Sequence, residues 1–244
     1  MTARVRGLTV RADTVNVLDA VDLDVRPGAV TALVGESGCG KSMVASALSG
    51  LLPAGTVATG EVTVAGHALT QTDPRWARLR GRTVGLVPQS AATSFTPVRT
   101  LRSQLDEVIR VVGARRTSEQ LCADAGLSAQ ALEKYPHELS GGMAQRAAVA
   151  AAVAGPPEVL LADEPTSALD PATAHGVLRL LRRHADAGAA VLVITHDLRS
   201  VLAIGCDQLA VMRAGRILFH GSPATDFAHH RDSEYISAFF EEVQ

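Results

Sequence analysis

The chain has 244 residues, is 47% hydrophobic and 20% charged, and carries a formal net charge of −2. That length supports one large core, and the near balance of charge excludes a general electrostatic footprint for nucleic acid. The cysteines, Cys39, Cys122 and Cys206, are odd in number and widely spaced, which argues against a disulfide framework or a zinc site.

Met1 to Val10 carries Arg4 and Arg6 without the apolar stretch of a signal peptide, and no apolar run reaches the roughly 18 residues needed to span a bilayer. The expectation is a protein kept in the cytosol. Val5 to Val10 and Val21 to Val25 alternate apolar and polar residues, as does Glu61 to Val64 further on. This pattern predicts an antiparallel sheet with one exposed face. Ala29 to Val34 is continuously apolar and reads as a buried parallel strand.

Directly after it, residues 35–42 read Gly-Glu-Ser-Gly-Cys-Gly-Lys-Ser, a complete G-x-x-x-x-G-K-[ST] phosphate loop. Glycines let backbone N–H groups approach phosphate oxygens, Lys41 brings a compact charge to the β- and γ-phosphates, and Ser42 offers a hydroxyl to Mg²⁺. Of 23 basic residues only Lys41 and Lys134 are lysines, so lysine persists where a planar guanidinium would not fit. A helix from Lys41 to Leu51, stopped by Pro53, adds its N-terminal dipole.

Thr83 to Val87 predicts a second buried strand, and Leu101 to Glu133 a charged helical region with breaks at Gly113 and Gly126. Leu139-Ser140-Gly141-Gly142-Met143 follows, with Ser140 as a natural N-cap and two glycines leaving donors open to an anion at the start of a small-residue helix running through Ala154. The strand Val159 to Ala162 ends in Asp163-Glu164. Two carboxylates there need partners, which a metal and a nucleophilic water supply: alternation would turn Asp163 to Mg²⁺ and leave Glu164 to orient the water. Arg179, Arg182 and Arg183 form a basic helix face. Ala190 to Ile194 is another buried strand, Gln208 to Met212 and Arg216 to Phe219 flank a turn at Ala214-Gly215, and a helical tail runs from Glu234 to Glu242. His229-His230 reads as an exposed polar turn rather than a metal site, and Phe239-Phe240 as a packing anchor.

Together these motifs resemble the ATP-binding subunit of an ATP-binding-cassette (ABC) transporter, whose signature LSGGQ stands here with Met143 in the fifth position. The resemblance covers essentially the whole chain. It implies an α/β fold, a P-loop NTPase (RecA-like) core with a mostly parallel sheet, an antiparallel β subdomain and an inserted helical subdomain. A single ABC ATPase domain would span 1–244, with the core in about 1–89 and 156–244 and the helical part in about 90–155.

Residue by residue, Gly35, Glu36, Ser37, Gly38, Cys39, Gly40, Lys41, Ser42 and Met43 are implied to bind ATP. Ser42, Gln89 and Asp163 are implied to hold Mg²⁺. Val87-Pro88-Gln89 resembles the Q-loop, and Thr195-His196-Asp197 the switch histidine, so that Glu164, His196 and Gln89 form the catalytic set. Ser140, Gly141, Gly142 and Met143 are implied to close over the ATP of a second ATP-binding subunit, and Asp170, in the D-loop-like Ser167-Ala168-Leu169-Asp170, to bridge the two sites.

The sequence departs from the family where an aromatic residue commonly stacks on adenine. Val10-Arg11-Ala12-Asp13-Thr14 has none, leaving stacking on Arg11 or a loosely held base. Met143 with Gln145-Arg146 resembles the LSGGM-x-Q-R variant of importers of peptides, nickel and metal-opine complexes. Phe95-Thr96-Pro97-Val98 is similar to that group's Leu-Asn-Pro-Val, and Tyr235 to its C-terminal tyrosine. Transmembrane permease subunits, and indirectly a substrate-binding protein, are the implied partners, with the chain peripheral at the cytoplasmic membrane face and no nucleic acid. Ser90 to His137 would receive the permease, with Phe95, Val98 and Leu101 offering apolar contacts beside Arg99 and Arg102. An exporter ATPase and an accessory ATPase of a soluble metabolic complex are the alternative functions.

Overall fold

The computed structural model describes residues 2–167 and 169–225. In chain order the elements are β1 (Ala3–Ala12), β2 (Val15–Val25), β3 (Ala29–Gly35), α1 (Lys41–Ser49), β4 (Thr56–Val64), β5 (His67–Leu69), α2 (Trp76–Leu79) and β6 (Val84–Val87). Then follow α3 (Leu101–Val112), α4 (Ser118–Asp124), α5 (Gly141–Ala152), β7 (Val159–Asp163), α6 (Pro171–Asp186), β8 (Ala190–Ile194), α7 (Leu198–Ala203), β9 (Gln208–Arg213) and β10 (Arg216–Gly221). The expectations on His229-His230, Glu234 to Glu242, Tyr235 and Phe239-Phe240 lie outside the described residues.

Strand character separates the two sheets. The alternating strands pair antiparallel in the order β2-β1-β4-β5, whereas the continuously apolar ones form, together with β9 and β10, a six-stranded sheet, β10-β9-β3-β8-β7-β6. In the larger sheet β9, β3, β8, β7 and β6 run parallel, and β10 turns back antiparallel on β9.

Period-2 geometry divides the core. Val30, Ala32, Val34, Leu160, Ala162, Val191 and Val193 face one cluster shared with α5, α6 and α7. The intervening Leu33, Leu161, Leu192 and Ile194 face the other, shared with α1 and the antiparallel sheet. A third cluster, built from Leu101, Leu105, Cys122, Leu127, Leu132 and Ala147, holds the helical region together.

Several boundaries differ from the sequence expectation. Helix α1 ends at Ser49, because Gly50 takes a left-handed conformation (φ 65°) and its N–H bonds to Ala47 O, four residues before Pro53 would have acted. The helical region breaks at both glycines: Gly113 (φ 69°) caps α3, and Gly126 (φ 71°) follows α4. The three arginines of α6 do not form one solvated basic face. Arg182 donates to Gly205 O, Gly28 O and Asp207 Oδ2, which in turn accepts Val30 N–H, and Arg183 donates to Asp124 O at the end of α4. Among the described residues no helix is long and apolar enough to cross a membrane.

A Cβ on Gly50 would lie 2.3 Å from the buried Trp76 ring, in a backbone conformation that L residues resist. Gly50→Ala is expected to lower unfolding free energy by about 2–4 kcal/mol in urea denaturation. Gly55→Ala, at φ 84° with nothing within 4 Å, should cost only about 1–2 kcal/mol.

Candidate functional site

Parallel register brings the chemistry to one sheet edge. Leu33 pairs with Ile194 and Ile194 with Asp163, so β3, β8 and β7 end in one row. Their outgoing loops carry Gly35 to Gly40, Thr195-His196 and Glu164. Val87 pairs with Ala162, so Pro88-Gln89 leaves β6 at the same edge, with Gln89 exposed.

The glycines of the loop are seated for different reasons. A Cβ on Gly35 would stand 2.1 Å from Met212 O, and one on Gly40 would stand 2.8 Å from Val17 O; both are packing requirements. A Cβ on Gly38 (φ 80°) would meet nothing within 4 Å, so that glycine marks the loop's open side. Lys41 is only 7% exposed, and its Nζ donates to Gly35 O and Glu36 O at 2.8 Å each. An ammonium has three donors, so these two bonds and a longer 4.0 Å contact to Cys39 Sγ hold Lys41 across the loop. Cys39, buried beneath, has its thiol pushed up by burial, with Lys41 opposing. Ser42 is exposed at the start of α1, and Met43 follows it.

Asp163 ends β7 on the α1 face of the sheet. Burial raises its carboxyl above the usual range, while the Ser42 hydroxyl and the Lys41 charge pull it back. Its Oδ1 is buried with no hydrogen-bond partner. An orphaned carboxylate oxygen beside a serine hydroxyl is a donor set that suits Mg²⁺.

Strand alternation does not place Glu164. Its backbone turns left-handed (φ 47°), its N–H donates to Ile194 O at 2.9 Å, and its carbonyl accepts the Ser167 hydroxyl at 3.0 Å. The carboxylate, largely buried, meets His196: Oε2 lies 2.8 Å from Nδ1, with the His196 side chain 70% exposed. Backbone strain at a non-glycine residue of this kind is concentrated at functional sites.

Ser140, Gly141, Gly142, Met143 and Asp170 gather elsewhere. Ser140 Oγ accepts Met143 N–H to cap α5, and Asp170 accepts Thr173 N–H at 3.0 Å to cap α6. That capping by Thr173 holds the Asp170 carboxyl below the usual range. The two helix starts interlock: a Cβ on Gly142 would lie 2.3 Å from Thr173 Cγ2, and one on Gly141 would lie 3.6 Å from Leu169 Cδ2. Gly142 is therefore required for packing as well as for an open helix N-terminus. Among the described residues no hydrogen bond joins this cluster to residues 35–43.

The expected docking segment is partly core. Leu101 is 1% exposed within the helical cluster, and Arg102 pairs with Glu119 and Glu133 inside that region. What faces outward is Val98, 80% exposed, beside a groove of 440 Å³ lined by Leu86, Pro88, Phe95, Val108 and Ala151, with the Arg99–Glu107 ion pair at its wall. The seats of Gly35 and Gly40 against Met212 and Val17, and of Gly142 against Thr173, are long-range contacts with no local sequence signal.

The ABC transporter family profile matches residues 18–167, spanning the phosphate loop, Gln89, the Ser140 to Met143 turn and Asp163-Glu164. Over 226 residues the chain is 40% identical to the probable peptide ABC transporter ATP-binding protein y4tR of Sinorhizobium fredii, covering 86% of this chain and 66% of that protein. It is 41% identical over 217 residues to the oligopeptide transport ATP-binding protein OppD of Mycobacterium tuberculosis, but spans only 35% of OppD's length. With the probable D,D-dipeptide transport ATP-binding protein DdpD of Escherichia coli the identity is 36% over 233 residues, covering 91% of this chain and 70% of DdpD. The dimeric post-hydrolysis structure of the ATP-binding cassette MJ0796, bound to ADP and Pi, superposes with a TM-score of 0.78 at 24% identity over 91% of this chain and 98% of that one, a likeness of fold. A P-loop NTPase fold, a phosphate loop completed from neighbouring strands and this match across more than half its length make the chain a member of the ABC transporter family.

Proposed function

We propose that this chain binds ATP with Mg²⁺ and hydrolyses it to energise a membrane importer, with peptides as the cargo class. The observation that carries this reading is the convergence of Lys41, Asp163 and the Glu164–His196 pair on one sheet edge. The peptide class is supported by what the relatives y4tR, OppD and DdpD are called. Nickel and metal-opine complexes stand behind peptides, resting on sequence resemblance to the importer group alone.

Residues 35–43 cradle the triphosphate, with backbone N–H groups and the α1 dipole directed at the anion. Ser42, Asp163 and Gln89 would hold Mg²⁺, which would supply charge to neutralise the phosphates. Glu164 orients a water and takes its proton as the oxygen bonds to the γ-phosphorus and the bond to the β-phosphate oxygen breaks. His196 fixes the Glu164 carboxylate through Nδ1 and contacts the γ-phosphate. A second ATP-binding subunit completes each site: its Ser140, Gly141, Gly142 and Met143 counterparts present the N-terminus of a 12-residue helix to the nucleotide, and Asp170 bridges the pair. The groove beside Val98 receives the transmembrane permease subunits, which holds the chain at the cytoplasmic membrane face; a substrate-binding protein delivers cargo to them.

Lys41→Ala and Lys41→Arg are expected to lower ATP affinity sharply in equilibrium binding, since neither places a compact ammonium between Gly35 O and Glu36 O. Glu164→Gln should bind ATP at near-parental affinity and hydrolyse it about 10²–10⁴-fold more slowly. Equal loss of binding in both classes would contradict the assignment.

Val98→Asp combined with Arg99→Glu alters only exposed or half-buried positions, whose surface ion pair contributes under about 1 kcal/mol. The double variant should fold and bind ATP normally, yet fail to co-purify with its permease subunits and abolish peptide uptake in cells. Normal uptake would move the docking surface elsewhere.

A further inference from the structure

We infer that Thr195 is a positioning residue for His196, and through it for the Glu164 carboxylate; the inference rests on reading that pair as the hydrolytic machinery. The His196 side chain is 70% exposed, so packing does not set where its ring points. What sets it is the backbone from which it projects, together with the 2.8 Å contact to Glu164 Oε2.

Thr195 is 1% exposed, and its N–H donates to Leu33 O at 3.2 Å, carrying the β3–β8 ladder one residue past Ile194. Its Oγ1 accepts the N–H of Asp197 at 3.0 Å. Asp197 Oδ1 in turn accepts Ser200 N–H at 3.0 Å and caps α7. Residue 196 is thus suspended between two pinned neighbours, and the Thr195 hydroxyl is the group that spans it.

The same strand end also holds the other member of the pair, because Glu164 N–H donates to Ile194 O. Ile194 and Thr195 therefore place the acid and the imidazole together. Valine would keep the branched shape and the stiff χ1 of threonine, but it lacks the acceptor for Asp197 N–H. The turn would then sample other conformations, and His196 would leave Glu164.

The test uses the full chain with Thr195→Val and Thr195→Ser, reading the ring-nitrogen NMR signal of His196, assigned with His196→Ala. A parallel readout is the hydrolysis rate and affinity for ATP with Mg²⁺. Thr195→Val should move the ring signal to that of a solvent-exposed imidazole and lower kcat about tenfold, with ATP affinity within about twofold of the parent. Thr195→Ser should restore both. A parental ring signal in the valine variant, or no recovery with serine, overturns the inference. If the valine variant does not fold, Thr195→Ala against Thr195→Ser carries the same contrast. If Glu164→Gln and His196→Ala both hydrolyse ATP at the parental rate, the reading of that pair as the hydrolytic machinery fails, while the ring signal still decides the role of Thr195.

Discussion

Every proposed step at this site depends on one constraint, the in-phase parallel pairing of β3, β8 and β7. Because Leu33, Ile194 and Asp163 occupy one row, the phosphate loop, the histidine turn and the two carboxylates emerge side by side. A two-residue slip of β7 against β8 would keep its apolar faces in place yet carry Asp163 about 6–7 Å away from Ser42. The core thus specifies the site: the same alternation that buries Leu161 and Leu192 on the α1 face leaves Asp163 pointing there too.

A second constraint ties the site to the helical region. Six residues lie between Glu164 and the start of α6, whose first turn interlocks with that of α5 through Thr173 and Gly142. Farther along α6, Arg183 donates to Asp124 O at the end of α4, while Arg146 of α5 donates to Gly126 O just beyond it. Helix α4 has no basic residue in its own last turn, so Arg183 satisfies its terminal carbonyl at Asp124. The Ser140 to Met143 turn and the first turn of α6 are thus joined by packed contacts.

Much of this was legible in the sequence wherever a local rule acted alone. The limits of β8 match the apolar run Ala190 to Ile194, and the alternation in β1, β2 and β4 predicts their separate antiparallel sheet. The residues of the phosphate loop and the acidic strand end were readable from residue type and spacing. What escaped depends on contacts distant in sequence. Pro53 is a stronger breaker than Gly50 on propensity, yet Trp76 packed against Gly50 accompanies a left-handed cap that ends α1 earlier. Alternation would have put Glu164 on the face opposite Asp163, but its left-handed turn and bond to Ile194 O override the pleat. Leu101 reads as an exposed contact beside charged neighbours, and only the packing of α3 on the 3-10 turn at Ala129–Glu133 and on α5 buries it.

The most direct test of this account is a crystal structure of the chain with a non-hydrolysable ATP analogue and Mg²⁺. The account predicts the γ-phosphate between Lys41 Nζ and the Glu164–His196 pair, with the metal touching Ser42 Oγ and the presently unpartnered Oδ1 of Asp163. A nucleotide bound elsewhere, such as the groove between β2 and β10 lined by Asp19, Asp22 and Arg216, would contradict it. So would a metal that leaves Asp163 untouched.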